Sequence, residues 1–334
     1  MRQQLLERKL TEHFEAYASE RQFSGTILAA EEGHICFHRS YGLANCEHQV
    51  PNTGKTKFQI ASITKPITAM AALMLEERGV IDIQGRIGDY LPVADGLDSR
   101  ITIHQLLTHT SGIRDFEKLP GFAGGLERTL YEGLDILQLI QHDPQPSVPG
   151  TKWEYCNTGY NLLGVLIETV TCMSYAEFVT QNILAPLGMD STGFGSSDSI
   201  VHGLAQGYSL NEKGEQVKAR YFELGNFLAS GHMVSTAEDL LKWDRALYPG
   251  HLVSEELLRK MFAPHAYIDE IRHYGYGWSI YHGSRGHGGW LPGYWCKFRQ
   301  FPERKQVLIM LSNQDYTKED GIIDRTEAIF KECL

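Results

Sequence analysis

The spacing of apolar residues changes period several times along this chain, and the changes mark its elements. The opening nine residues carry a charge every few positions, which predicts an amphipathic helix running to about Ser19. Two runs with β character follow, at 24–30 and 34–39, with Glu32-Gly33 between them as a hairpin turn. A polar loop leads to an extended run at 57–60. From 67 to 77 the period becomes helical, with Ile67, Met70, Ala71, Leu73 and Met74 in register and Gly79 where a helix stop belongs. The density of apolar residues predicts a mostly buried helix.

From 81 to about 193 the pattern is one of helices joined by loops. Thr102 caps a helix through Leu107, and 134–141 is another helical run. The proline-rich stretch 143–150 is a rigid extended connector, because proline denies helix to itself and its predecessor. Residues 157–170 are apolar and helical, and Ser174 to Glu177 forms a capping box. Ser235 to Glu238 reads as a second box before a helix at 239–247. β character returns at 276–280, 294–301 and 307–311, and 320–332 closes the chain as a helix. The fold class expected is α/β (α+β): an antiparallel sheet built from both termini, flanked by the terminal helices, with an inserted all-helical domain. The sheet portion takes residues 1–75 and 200–334, the helical portion 76–199, and the active site lies between them.

Composition narrows the function. The 334 residues include 31 Lys and Arg against 41 Asp and Glu, a formal net charge of −10. That balance argues against nucleic acid and anionic membranes as partners. No apolar run reaches the ~20 residues of a membrane span, and the N-terminus has no apolar core of a signal peptide. The expectation is a cytoplasmic protein, or an extracytoplasmic one if a leader has been removed. Six scattered cysteines without a Cys-x-x-Cys pair fit reduced thiols. The chain has no His-Glu-x-x-His, no Gly-x-Ser-x-Gly elbow and no glycine-rich phosphate loop, so no metal and no cofactor is expected.

Three segments carry candidate chemistry. In Ala61-Ser62-Ile63-Thr64-Lys65-Pro66, Ser62 and Lys65 are three apart and project from one helix face. An amine placed there can take the hydroxyl proton, and Pro66 suits a first helical turn. Alone, Ser-x-x-Lys also describes an ordinary helix start. In Trp153-Glu154-Tyr155-Cys156-Asn157, a tyrosine near a lysine can be drawn toward phenolate and shuttle protons. Asn157 can pair with a substrate amide, although a packed aromatic beside a capping asparagine is the commoner arrangement. In Gly286-His287-Gly288-Gly289-Trp290, paired glycines let an extended substrate approach a strand edge, with His287 facing it as a donor. A hairpin turn with an exposed histidine would read the same.

Taken in order, Ser62-x-x-Lys65, Tyr155-x-Asn157 and His287-x-Gly289 resemble the serine β-lactamase and penicillin-binding protein superfamily. The branch resembled holds the class C β-lactamases, DD-carboxypeptidases, D-aminopeptidases and related esterases. Segments 106–113, 149–153, 234–240 and 311–313 add to the likeness, which runs from about Phe23 to the C-terminus. The resemblance implies Ser62 as acylated nucleophile, Lys65 as its activating partner and Tyr155 as general base. It implies Asn157, His287, Gly289 and Trp290 as substrate-binding residues, with the backbone N–H groups of Ser62 and Trp290 as oxyanion hole. The partner would be a small amide, ester or β-lactam. Histidine at 287, where class C β-lactamases hold lysine, resembles the peptidase branches. Cys156 departs from a common serine, and 230–233 departs from a glycine-richer stretch that brings in His232. A slowly turning-over penicillin-binding or β-lactam-sensing protein is the alternative.

Overall fold

The computed structural model describes all residues except 1, 93–96, 132, 141, 143–144, 196–198, 249–250, 320 and 334, together with the side chain of Arg21. The last residue of the helical run expected at 134–141, the first two of the connector expected at 143–150 and the first of the helix expected at 320–332 therefore lie outside the described residues. In chain order the elements that position the site are helix α1 (Arg2–Arg21) and strands β1 (Gly25–Glu31) and β2 (His34–Tyr41). Helices α2 (Thr64–Glu77), α3 (Asn157–Thr171) and α4 (Ala237–Ala246) follow. Then come β3 (Ala266–Asp269), β4 (Arg272–Tyr274), β5 (Ser279–Tyr281), β6 (Ser284–Leu291), β7 (Tyr294–Phe301), β8 (Gln306–Ser312) and helix α5 (Ile322–Glu332).

The eight strands form one antiparallel sheet in the order β3-β4-β5-β6-β7-β8-β1-β2. The N-terminal hairpin thus closes on the last strand, as the β runs at both chain ends require. Glu32 and Gly33 both take positive φ, 50° and 76°, the pair of left-handed residues that a tight two-residue hairpin turn needs. Strands β1 and β8 are apolar along their length because both of their faces are buried. Leu28, Ala30, Val307 and Ile309 face inward, where α4 lies against β1 and β8, and belong to the same apolar cluster as α2 and α3. Ile27, Ala29, Leu308 and Met310 face outward to Leu10 and Phe14 of α1 and Ile329 and Phe330 of α5. The inner cluster continues without a break from the sheet into the helices between 76 and 199. Every residue of α2 from Thr64 to Leu75 is buried, so the helix after Ser62 has no solvent face over that stretch. Among the described residues no single helix is long and apolar enough to cross a membrane.

Several elements differ from the sequence expectations, each for a local reason. The strand expected at 276–280 starts only at Ser279, because Gly277 has φ 79° and packs on the backbone of Lys65. A Cβ there would lie 2.8 Å from the Lys65 carbonyl oxygen. Residues 286–290 lie inside β6 and not in a turn. The hairpin β3–β4 was not expected; its strands are four and three residues long and carry Asp269, Arg272 and His273. The box expected at Ser235 sits one residue later: Ser235 ends a short strand, and the Thr236 side chain accepts from the Asp239 N–H at 3.2 Å. Glu238 points instead toward His38.

Thr236→Ala should therefore cost about 1 kcal/mol of stability, the usual worth of an N-cap, while Glu238→Ala should stay within about 0.5 kcal/mol as a surface change. Urea unfolding of the two variants checks this. Equal losses would return the cap to the Ser235–Glu238 register.

Candidate active site

Ser62 is held at a junction of three elements. Phe58–Gln59 pairs with Met233–Ser235, and the Ile60 N–H continues to the Met233 carbonyl at 2.9 Å. The chain then turns sharply through Ala61, whose φ of 49° is unusual for a residue with a Cβ, and a short 3-10 turn delivers it into α2. The turn presses on β6 at Gly289, where an added Cβ would meet the Ile60 carbonyl oxygen at 2.3 Å. The glycine expected to admit a substrate thus admits the nucleophile's own backbone. Ser62 itself remains partly exposed.

Lys65, in the first turn of α2, is fully buried. Its Nζ reaches Ser62 Oγ at 3.0 Å, Asn157 Oδ1 at 2.7 Å and the Ser230 carbonyl at 2.8 Å. Burial pushes its pKa from 10.5 down to about 7, against the upward pull of Glu117 and then Asp115. As an ammonium it donates to all three acceptors. As a neutral amine it keeps two donors for Asn157 and Ser230 and turns its lone pair to the Ser62 hydroxyl.

Asn157 is engaged at both ends: its Oδ1 accepts from Lys65 and its Nδ2 donates to the Glu117 carboxylate. Its backbone N–H donates to Asp115 Oδ2 at 3.2 Å, and Thr158 Oγ1 accepts from the Phe116 N–H at 3.0 Å. The start of α3 is thereby fixed to the 115–117 turn, and a carboxylate at that helix end suits its dipole. Glu117 keeps accessible surface, yet the surrounding protein and Asp115 raise its carboxyl to about 7.

Tyr155 donates to the same Ser62 oxygen at 2.8 Å, and Lys65 Nζ lies 4.7 Å from the centre of its ring. The sequence suggested a tyrosine drawn toward phenolate. Burial acts the other way and holds its pKa well above 10, so the resting phenol is a proton donor. Cys156 is buried beside it with its thiol donating to the Ile113 carbonyl at 3.4 Å, and burial pushes the thiol up, away from reactivity. His232 is turned toward the Gly195 carbonyl and bonds to neither Ser62 nor Lys65 among the described residues.

His287 does not face the cleft as a free donor; it is buried and both ring nitrogens are used. Nδ1–H donates to the Gly288 carbonyl at 2.6 Å, which leaves Nε2 to accept from the Tyr274 hydroxyl at 3.0 Å. Tyr274 in turn accepts from His109 Nε2–H at 3.1 Å, because His109 Nδ1 already accepts from the Cys156 N–H at 3.1 Å. The network assigns one tautomer to each ring. Burial first, and Lys65 second, hold both imidazoles neutral: His287 drops to about 3 and His109 falls well below 6.5. His109 also packs on Tyr155 with ring centres 4.4 Å apart.

The β5–β6 ladder ends at Gly286, so among the described residues 287–291 pair on one side only, with β7. That leaves an open strand edge beside Ser62. Trp290 is 56% exposed, with its indole N–H on the Asp315 carbonyl at 3.0 Å. Structure thus gathers Ser62, Lys65, Tyr155 and Asn157 into one hydrogen-bonded group, with Gly289 against it and His287 behind Tyr155. Four residues of the site were missed in the sequence: Asp115, Glu117, His109 and Tyr274. The first three adjoin or lie within the 106–113 segment, whose likeness came without roles. Tyr274 ends a three-residue strand that carries no pattern.

The family model described as Beta-lactamase matches residues 10–330. Penicillin-binding protein 4* of Bacillus subtilis (strain 168) is 32% identical over 95% of this chain and 74% of its own length. A penicillin-binding protein from Bacillus halodurans of known structure superposes with a TM-score of 0.85 at 29% identity, covering 95% of this chain and 99% of its own. A D-amino acid amidase from Ochrobactrum anthropi SV3, complexed with L-phenylalanine amide, gives 0.82 at 25% identity, covering 98% of each chain.

Tyr274→Phe should strand two buried ring nitrogens and cost about 1–3 kcal/mol, the penalty for unpaired buried polar groups. Denaturant unfolding measures it. A loss below about 0.5 kcal/mol, within ordinary surface scatter, would mean the hydroxyl does not join the two histidines.

Proposed function

Since this chain belongs to the Beta-lactamase family of serine hydrolases, we propose that it opens amide and ester bonds through an acyl-Ser62 intermediate and favours neutral or amine-bearing substrates over carboxylates. The observation that carries the reading is the pair of proton-handling groups on one oxygen, Lys65 Nζ at 3.0 Å and the Tyr155 hydroxyl at 2.8 Å from Ser62 Oγ. The class C β-lactamase or DD-peptidase type is a finer choice, and the site favours the peptidase and amidase side.

In the proposed sequence the neutral Lys65 amine takes the Ser62 proton as Oγ attacks the carbonyl carbon. The backbone N–H groups of Ser62 and Trp290 receive the oxyanion; donors of this kind contribute about 10²–10³ each in rate. Tyr155 gives its proton to the leaving nitrogen or oxygen and regains one from the Lys65 ammonium, so the acyl group gains Ser62 and the leaving group gains a hydrogen. Water then replaces the leaving group and the same transfers run in reverse. Asn157 acts through Lys65, holding its amine on Ser62.

Charge sets the preference. His287, buried and neutral with both ring nitrogens engaged, offers a substrate carboxylate neither charge nor a free donor where a lysine would attract it, and Glu117 keeps accessible surface next to the buried Asp115. Above about pH 7, where Glu117 is ionised, a substrate carboxylate meets repulsion there and an ammonium meets attraction; both effects fade as Glu117 takes up its proton.

The test is kcat/KM for an amino acid amide, a neutral ester and an anionic cephalosporin, with wild type, Ser62→Ala and His287→Lys. Wild type should prefer the amide or ester with steady turnover after any burst, Ser62→Ala should lose all three, and His287→Lys should move the ratio toward the cephalosporin. A burst without turnover would favour the penicillin-binding trap. A wild-type preference for the cephalosporin would overturn the proposal.

A further inference from the structure

The outer face of the sheet is only partly covered. The apolar cluster beneath α1 and α5 takes side chains from β1, β2, β7 and β8 and none from β3 to β6. Where the cover ends, a groove of about 880 Å³ runs between the β4–β5 edge and the start of α5. It lies on the face of the sheet opposite the Ser62 cleft, since His287 and Gly289 of β6 point to the cleft and the alternate positions point away. Glycine fills two of those alternate positions, 286 and 288, directly across from Arg299 and Lys297 of β7. Neither long side chain therefore has a β6 side chain directly across from it.

Arg299 is the unusual member. Its residue is 4% exposed, its guanidinium lies 3.6 Å from the centre of the Tyr281 ring, and among the described residues its one side-chain hydrogen bond is a long contact of 3.4 Å from Nη1 to Ser284 Oγ. Its Nε finds no partner, and among the described residues no carboxylate pairs with it. The other cations of the groove are matched, Lys297 by Glu319 and Arg272 by Asp269. A buried guanidinium without an anion is costly, and its planar fork suits a carboxylate. The rim has the opposite sign: Glu270 and Asp324 are exposed, and neither pairs with a cation among the described residues. A polyanion would be repelled there, whereas a ligand with an ammonium beyond its carboxylate satisfies floor and rim together.

We propose that this groove is a second ligand site, taking a zwitterionic amino acid or short peptide with its carboxylate on Arg299 and its ammonium toward Asp324 and Glu270. The inference is independent of the chemistry at Ser62. Calorimetric titration of the Ser62→Ala protein with glycylglycine, acetate and inorganic phosphate tests it. Glycylglycine should fill a site that Arg299→Met weakens by about tenfold or more, the range for a charged hydrogen-bonded pair. Arg299→Lys, which keeps the charge and loses the fork, serves if the methionine variant does not fold and should also weaken binding. Asp324→Asn should weaken glycylglycine and leave acetate unchanged. Glycylglycine affinity unaffected by both Arg299→Lys and Asp324→Asn, phosphate binding as tightly as glycylglycine, or no glycylglycine heat at all would each overturn the proposal.

Discussion

A lysine amine with no exposed surface is the constraint around which this site is arranged. Removing an ammonium from water is expensive, so the group must either find several acceptors or lose its proton. Lys65 does part of each. Asn157, Ser230 and Ser62 accept from it, Glu117 and Asp115 pull its pKa up, and burial still prevails, leaving it near 7. A group at that value is poised to take and return a proton at neutral pH. The rigid setting is part of the effect: α2 is buried from Thr64 to Leu75, and β6 closes on the turn before Ser62 through Gly289. Water has little room to rehydrate the amine.

The same logic explains the histidines. A protonated imidazole at 287 or 109 would place a second positive charge beside Lys65, and burial together with Lys65 keeps both neutral. Their tautomers are then fixed by a line of hydrogen bonds from Cys156 through His109 and Tyr274 to His287 and Gly288. His109 is also the ring on which Tyr155 rests, and it packs in turn on Tyr160 and Tyr274. The phenol is left with Ser62 as its hydrogen-bond partner, protonated and ready to donate.

What could be read in the sequence was local or doubly buried. Ser62 and Lys65 share one helical turn, so their meeting needs no tertiary information. Strands β1 and β8 are apolar throughout because both faces are covered, and the Glu32-Gly33 turn carries its own conformational signature. The capping box at Ser174 and the cap at Thr102 are contained within four residues each. What escaped depends on distant contacts. Gly277 breaks a strand because α2 lies against it, and Ser235 and Thr236 are equally good caps until the strand pairing of Met233–Ser235 uses one of them. Tyr274 and Glu117 gain their roles only when hairpin β3–β4 and the 115–117 turn meet α3 and β6. The direction of the Tyr155 shift was likewise a matter of burial, which sequence neighbours do not report.

The account turns on Lys65 holding its amine near neutrality in the free protein. NMR titration of protein carrying lysine labelled at Cε, with the Lys65 resonance assigned by its loss in Lys65→Arg, reads this directly. The expected result is one lysine that changes from ammonium to amine around pH 7 while the others titrate near the usual ~10.4. A Lys65 resonance that stays protonated until pH 10 would contradict the account and leave Ser62 without its base.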